Sequence, residues 1–261
     1  MIEQIYVMMY RQVKRFMRAR SRIIGIFLNN ILWLVLFGLG MASALNPVSR
    51  FILKGLDYLA FLLPAMYAIS IFQASFMGGI SVIWDKQFGF LKEVLIAPVS
   101  RSLTILGRAL GDALTSTFNA IVMLAIGFIL TDKLDLASLP YIVITGLIMG
   151  LGFTSLGIAI ASAIKSPEGF QLIVGAITMP MTILSGAMFP LNMAPEWMRI
   201  IALVSPLTYA VDLCRYHLTG VSILRDVHPC LTPTIETTVL VIASTAFVIV
   251  AAEIFNKATL E

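Results

Sequence analysis

Four residues late in the chain have side chains suited to metal chemistry: Cys214, His217, His228 and Cys230. Cys214-x-x-His217 and His228-x-Cys230 together supply four zinc-type ligands. The spacing matches no familiar finger, and two arms of the chain would have to converge, so no metal site is expected. The two cysteines alone offer either a disulfide that pins this region to the start of the last apolar run or two unpaired thiols. Other reactive patterns are missing. A GxxxxGK[ST] loop has no match, because Lys165-Ser166 follows Ile164 and not glycine; the chain shows no means of binding ATP itself. HExxH does not occur, and no paired carboxylates fall inside an apolar run. The only 2 histidines are those already named, which leaves an intramembrane serine hydrolase without a base. Catalytic, cofactor-binding and metal residues are each expected to be none, and nothing points to nucleic acid.

The composition explains why the chemistry is so sparse. The 261 residues are 59% hydrophobic and 12% charged, with mean hydropathy +0.95. Soluble domains carry about 25% charged residues. Apolar runs of about 20 residues suit helices that cross a bilayer, and the alternating segments of about 10 residues that mark a membrane barrel do not occur. The expected fold is all-α and integral to the membrane, one domain over 1–261. Six transmembrane helices are expected near 23–45, 59–84, 113–131, 139–164, 170–190 and 236–255, and the first five hold no Lys, Arg, Asp, Glu or His. Ala42-Ser43-Ala44 resembles a cleavage site, but the apolar run before it is too long for a signal core, so 23–45 is expected to stay as a span. Basic residues are biased two to one toward the segments that share a side with the N-terminus. That places both termini in the cytosol of a cell-membrane protein.

Three regions flank or interrupt these spans. Residues 1–22 read as a basic amphipathic helix lying in the membrane interface, with Ile2, Ile5, Tyr6, Met9, Val13, Phe16 and Met17 at helical spacing. Gly146 and Gly150 form a GxxxG pair in the fourth span, which permits close helix packing. Pro64 and Pro180 should kink or open the second and fifth spans. Those two spans are the expected cavity walls, with Gln73, Phe76, Thr178 and Thr182 as candidate lining. The neutral polar groups among them suit either helix-to-helix hydrogen bonds or a substrate path. Residues 190–235 are apolar yet broken by Pro190, Pro195 and Pro206. Two half-length helices, 196–204 and 206–218, are expected there as an extracellular or re-entrant segment, the second capped by Ser205 with Pro206 at its first position.

The remaining anomaly is "DKQFGFLKEVLIAPVSR", residues 85–101. Phe88, Leu91 and Leu95 follow the i, i+3, i+7 rule, with Phe90, Val94 and Ala97 in a neighbouring row, and Pro98 closes the pattern. A short cytosolic helix with a broad apolar face is predicted. It either rests in the headgroups or plugs into a cytosolic partner. Switching a two-state protein from 1:99 to 99:1 takes about 5.5 kcal/mol. This chain has no visible source of that energy, so a partner would have to supply it.

"FGFLKEVLIAPVSR" together with "ILSGAMFPLNMAPEWMRIIALVSPLTYAVDLCRYHLTG" resembles the membrane subunit of ABC-2 type exporters, in the drug-resistance and nodulation-type group. The resemblance covers nearly the whole chain. It implies a half-transporter whose two copies pair and dock on two separate ATP-binding subunits, which carry the ATP and Mg while this chain binds no cofactor. It implies that the 85–101 segment is the main coupling helix, through Phe88, Gly89, Phe90, Leu91, Lys92, Glu93, Leu95, Pro98 and Arg101. Lys165, Ser166, Pro167 and Glu168 would make a second, smaller contact. The implied function is ATP-driven export of a hydrophobic or amphipathic cargo such as a drug or lipid. Export of a lipid-linked polysaccharide or lipo-oligosaccharide is the close alternative. An ion-coupled carrier and a non-transporting scaffold stand further off. Membrane lipid is the remaining expected partner.

Overall fold

The computed structural model describes residues 2–40, 55–89, 100–164 and 166–258, and every regular element among them is helical. Helix α1 (Ile2–Arg18) is followed by α2 (Arg20–Trp33), which runs into a π-helical stretch, Leu34–Leu39. Helices α3 (Tyr58–Gly78) and α4 (Ile80–Gln87) form one nearly continuous rod broken at Gly79. Then come α5 (Arg101–Leu130), α6 (Leu139–Ala163), α7 (Pro167–Leu184), α8 (Glu196–Val204), α9 (Pro206–Thr219), the single turn α10 (Leu224–Val227) and α11 (Pro233–Ala258).

Local sequence sets most of these ends. Asp135 accepts a hydrogen bond from the Ala137 N–H (2.9 Å) at the 3₁₀ turn that leads into α6. Ser166 caps α7 by accepting from the Gly169 N–H (3.1 Å), with Pro167 at the first position, where its missing donor costs nothing. Gly220, at φ 73°, ends α9 in the left-handed region and donates to Tyr216 O at 2.8 Å.

Four helical stretches among the described residues are long and apolar enough to cross a membrane: Tyr58–Gln87, Arg101–Leu130, Leu136–Ala163 and Pro233–Lys257. Glu196–Val204 and Pro206–Thr219 meet at 89° as a broken pair and would make a fifth. The expected count of six is therefore not reached among the described residues. The first expected span, 23–45, runs into residues 41–54, which lie outside them. The fifth, 170–190, is a helix that stops at Leu184. The spans also start and stop elsewhere than hydropathy places them. The second continues past residue 84 to Gln87, and the third starts at Arg101 instead of 113. Asp85, Arg108 and Asp112 thus lie within helices long enough to span, although the apolar runs alone contain no charge.

Helix α3 is the centre of the bundle, buried on nearly every side against α5, α6 and α9. The small residues of α6 make that packing close. Gly150 lies against Ala113 of α5, and a side chain on Gly146 would collide with the Tyr67 hydroxyl and Ile71 of α3. The tightest approach is at Gly79 and Gly157, where a Cβ on either would overlap backbone of the other rod. Backbones that touch in this way hold helices together in a membrane, where lipid tails offer no hydrophobic drive between them. Helix α3 runs through Pro64 and α7 through Pro180.

Candidate coupling site

The 85–101 segment leaves the bundle at the end of α4 and returns at the start of α5. The structure places 85–87 in the last turns of α4. Gly89, at φ 79°, turns the chain away in a conformation that side-chain-bearing residues rarely adopt. Its N–H donates to Lys86 O (3.3 Å) and that of Phe88 to Trp84 O (2.9 Å), so helix α4 is closed there. Phe88 stands 84% exposed at the end of α4. Arg101 opens α5. The other predicted contacts of this segment, Phe90, Leu91, Lys92, Glu93, Leu95 and Pro98, lie outside the described residues, as does Lys165. Of the second contact, Ser166, Pro167 and Glu168 form the capped first turn of α7.

Both roots of the segment are held by distant parts of the chain. At the departing root, Asp85 is buried and bridged bidentately by Arg11 of α1, at 2.9 and 3.1 Å. Arg108 of α5, itself buried, pairs with the same carboxylate. A carboxylate shared by two guanidiniums ties three helices at one point, and the planar fork of arginine fixes their relative angles as well as their distance. Partial burial lowers the Arg11 pKa, and Asp112 pulls it back up. Next to Asp85, the Lys86 ammonium donates to Ser162 O at 2.7 Å, at the C-terminal end of α6. A cation there also meets the negative end of the helix dipole. At the returning root, Gln4 of α1 donates to Ser100 O (2.6 Å) and Thr104 Oγ1 (2.9 Å) and accepts from the Ser100 N–H (3.3 Å). Arg101 donates to Asn256 O in the last turns of α11 at 3.4 Å. A displacement of the segment would therefore be felt by α1, α5, α6 and α11 together.

Helix α1 serves as the clamp. Gly107 and Gly111 of α5 let its backbone settle close at Ile5, Met8 and Gln12. Its Met8 and Gln12 are buried, while Ile2, Tyr6 and Met17 stay exposed. Only part of the predicted apolar stripe thus faces away from the protein; Ile5 and Met9 turn toward α5 and join the clamp.

The four cavity candidates separate. Gln73 and Thr182 line one cavity with Asn29, Trp33, Met66 and Ser70, between α2, α3 and α7. Thr178 lies one turn before Thr182 on α7, with its hydroxyl buried and without a hydrogen-bond partner. Phe76 is fully buried in the core, stacked on Phe72 at 5.6 Å. The cysteines form no disulfide: Cys214 is a buried thiol in the core and Cys230 an exposed one. No group of three or more potential metal ligands occurs among the described residues.

A second buried charge site lies outside what the sequence predicts. Arg215 of α9, 2% exposed, stacks on the Phe61 ring (3.9 Å) and donates to Phe61 O (3.4 Å) and Gly186 O (3.1 Å). Its neighbour Asp212 lies 3.7 Å from it and accepts from the Ser222 hydroxyl (2.6 Å) and the Ile223 N–H (2.9 Å). The group sits at the Tyr58 end of α3, the end remote from Asp85. By charge counting alone, Arg215 is only a basic residue of a connecting segment. The signal that could have found it is an aspartate–arginine pair at i, i+3 spacing within the predicted helix.

These features define the chain as a helical integral membrane protein in which both ends of the 85–101 segment are bonded to other helices of the bundle. It belongs to the ABC-2 type transporter family, which matches residues 3–218. It is similar to the transport permease ycf38 of Cyanophora paradoxa, 26% identical over 219 residues, which cover 82% of this chain and 74% of that one. Nodulation protein J of Rhizobium leguminosarum bv. viciae is 28% identical over 209 residues, 77% and 76% of the two chains. The multidrug ABC transporter permease YbhR of Escherichia coli (strain K12) is 26% identical over 161 residues, which is 61% of this chain but 44% of YbhR. The chain is thus the membrane permease subunit of an ABC transporter.

Proposed function

We propose that this permease is one half of an ATP-driven exporter that moves a hydrophobic or amphipathic cargo, a drug or a lipid, out of the cytosol. Two copies pair in the cell membrane with both termini cytosolic. Each docks a separate ATP-binding subunit that carries the ATP and Mg, so this chain binds no cofactor and hydrolyses nothing itself. The ATPase grips Phe88 and the 90–99 stretch, with the turn from Lys165 to Glu168 as a lesser contact. The observation that carries this reading is the double anchorage of the 85–101 segment. A loop whose two roots are bound to α1, α5, α6 and α11 can turn a push at its tip into a movement of the bundle. A loop that merely rested in headgroups would have no need of it.

Replacing Leu91 and Leu95 with Asp tests the docking. Fully burying each leucine is worth about 1.5–3 kcal/mol, and a carboxylate in its place would be desolvated at a cost. The double variant should insert normally but lose co-purification with the ATPase and lose export. Normal export by that variant would overturn the assignment. Vesicles that accumulate cargo on an ion gradient, without the ATPase, would favour a carrier instead.

Lipid-linked polysaccharide or lipo-oligosaccharide export is the second reading. The cavity favours it to this extent: Asn29, Ser70, Gln73 and Thr182 place four hydrogen-bonding side chains among Trp33, Met66 and their apolar neighbours. That mixture suits a ligand with both a polar and an apolar part.

A further inference from the structure

Glu236 stands in the first turn of α11, at the end of the bundle remote from Asp85, and neither the coupling role nor the cavity uses it. Its backbone is fixed there: the Glu236 N–H donates to Thr232 O (3.0 Å), and Pro233 opens the helix. The residue is fully buried, and neither carboxyl oxygen has a hydrogen-bond partner. The turn is pressed into a seam. Helix α11 packs on α9, and Val239, one turn after Glu236, packs against the apolar cluster that holds Tyr209 of α9 and Leu224 of α10.

The groups around it are engaged elsewhere. Tyr209 and Asp212 of α9 and Arg225 of α10 are the titratable groups that act on it. The Tyr209 hydroxyl donates to Leu203 O (2.6 Å). Asp212 is itself an acceptor, held by the Ser222 hydroxyl and the Ile223 N–H. Arg225 is exposed, with its guanidinium 5.5 Å from the centre of the Tyr216 ring. Helix α6, also packed on α11, carries no charged residue, and its Tyr141 is stacked on His217 of α9 at 5.0 Å. The charged residues of α5, the other neighbour, are Arg101, Arg108 and Asp112, in the half toward the Asp85 end. An ionised carboxyl in this seam would be an unpaired charge out of water, beside a second carboxylate. A group so placed gives up its charge. The positive end of the α11 dipole favours the anion, but by a small part of that cost. The neutral acid therefore fits the closed seam. The ionised form needs water or Arg225, and the seam must part to admit either.

We propose that Glu236 is a proton-operated latch: with its proton it seats the first turn of α11 against α9 and α10, and on losing that proton to water the turn lifts away. Helix α9 does not move with it, because Arg215 fastens α9 to Phe61 O and Gly186 O. The latch loosens one end of the last span and leaves the core closed. It holds whatever the cargo is and whichever side of the membrane this end faces.

Amide hydrogen exchange of the full chain in lipid nanodiscs over a pH series tests it, with each rate divided by that of the unstructured peptide. The open turn releases a proton that the closed turn keeps, so closure is complete below the ordinary carboxylate range and weakens as pH rises. Protection from Glu236 to Leu240 should fall about tenfold per pH unit from about pH 6 upward, as an opening that releases one proton requires. Protection of Leu213 to Thr219 in α9 should stay constant. In Glu236→Gln the profile of the α11 turn should be flat. A second measurement needs no variant: infrared spectra of the unaltered chain, with its glutamate carboxyls labelled with carbon-13, should show the carbonyl band of a protonated acid at neutral pH, fading as protection is lost. Protection that does not change with pH, the same slope in Glu236→Gln, an equal loss across α9, or no protonated-acid band at neutral pH would each overturn the proposal.

Discussion

The two ends of this bundle bury charge in opposite ways. At the loop end, Asp85 is shared by Arg11 and Arg108, and the three come from α4, α1 and α5. At the far end, Asp212 and Arg215 sit three residues apart on one helix, and most of their other bonds go to backbone: Phe61 O and Gly186 O for the arginine, the Ile223 N–H for the aspartate, which also accepts from the Ser222 hydroxyl. The first arrangement joins separate helices through side chains alone. Such a joint can be broken and remade when helices shift, because each helix keeps its own backbone bonds. The second fastens α9 to backbone groups of α3, of the turn after α7 and of the turn after α9, and opening it would leave a buried guanidinium short of acceptors. The joint at Asp85 can yield as its helices shift, whereas the one at Arg215 resists opening.

The same far end holds a carboxylate of a third kind. Glu236, near the start of α11, is fully buried, and neither of its oxygens has a hydrogen-bond partner. Tyr209, Asp212 and Arg225 are the titratable groups that act on it. These three environments predict three different responses to conservative substitutions.

The largest effect is expected at Asp85. Asp85→Asn keeps the shape and removes the charge, leaving Arg108, 4% exposed, without the carboxylate it is paired with. Breaking a buried pair from one side costs about 3–5 kcal/mol, mostly the penalty of the stranded partner. Thermal unfolding of the detergent-solubilised chain should show a large fall in the melting temperature. An unchanged melting temperature would mean that the three helices are held by packing alone, and that the joint at the loop end is not one.

Arg215→Lys comes next. Lysine keeps the charge but has no planar fork to lie on the Phe61 ring while reaching two carbonyls. A hydrogen bond from a charged donor is worth about 1.5–3 kcal/mol, and one such bond plus the stacking should be lost. The expected readout is an intermediate fall in melting temperature, with association with the ATPase unaffected because the site is remote from the 85–101 segment. Lost association with normal stability would mean that the far end transmits movement and the loop end does not.

The class of fold is plain in the sequence, because twenty-residue apolar runs have few other uses. So are the break near Ser205 and Pro206 and the close packing at Gly146 and Gly150. The charge cluster around Asp85 escapes a sequence reading for a physical reason. Hydropathy stops at the first charged residue, but a helix does not: α4 carries on through Asp85, and α5 starts two turns before Arg108. Residues trimmed from the ends of apolar runs look like loop residues facing water or headgroups. Arg11 looks like a headgroup contact on similar grounds, although it turns inward to Asp85. Which charges meet depends on how α1 crosses α5, and that depends on Gly107 and Gly111, which no periodicity links to Arg11. Opposite charges at matching depth on neighbouring spans, Asp85 against Arg108, are the better signal.

The smallest effect, and the sharpest contrast, is expected at Glu236. Glu236→Gln is the same carboxylate-to-amide change as Asp85→Asn, in a residue that is more deeply buried. If burial alone set the cost, the two variants would fall together. The cost of losing a buried charge, however, lies mainly in the partner left behind, and Glu236 has no hydrogen-bonded partner to leave. The amide removes the ionised form that burial penalises, while it too keeps polar atoms without partners, so the net change should be about 1 kcal/mol or less, neutral or stabilising. Melting temperatures of the two variants measured side by side decide the matter. A fall at Glu236 as large as that at Asp85 would show that Arg225 or a neighbouring hydroxyl closes on the carboxylate, and the far end would then be a second charged joint.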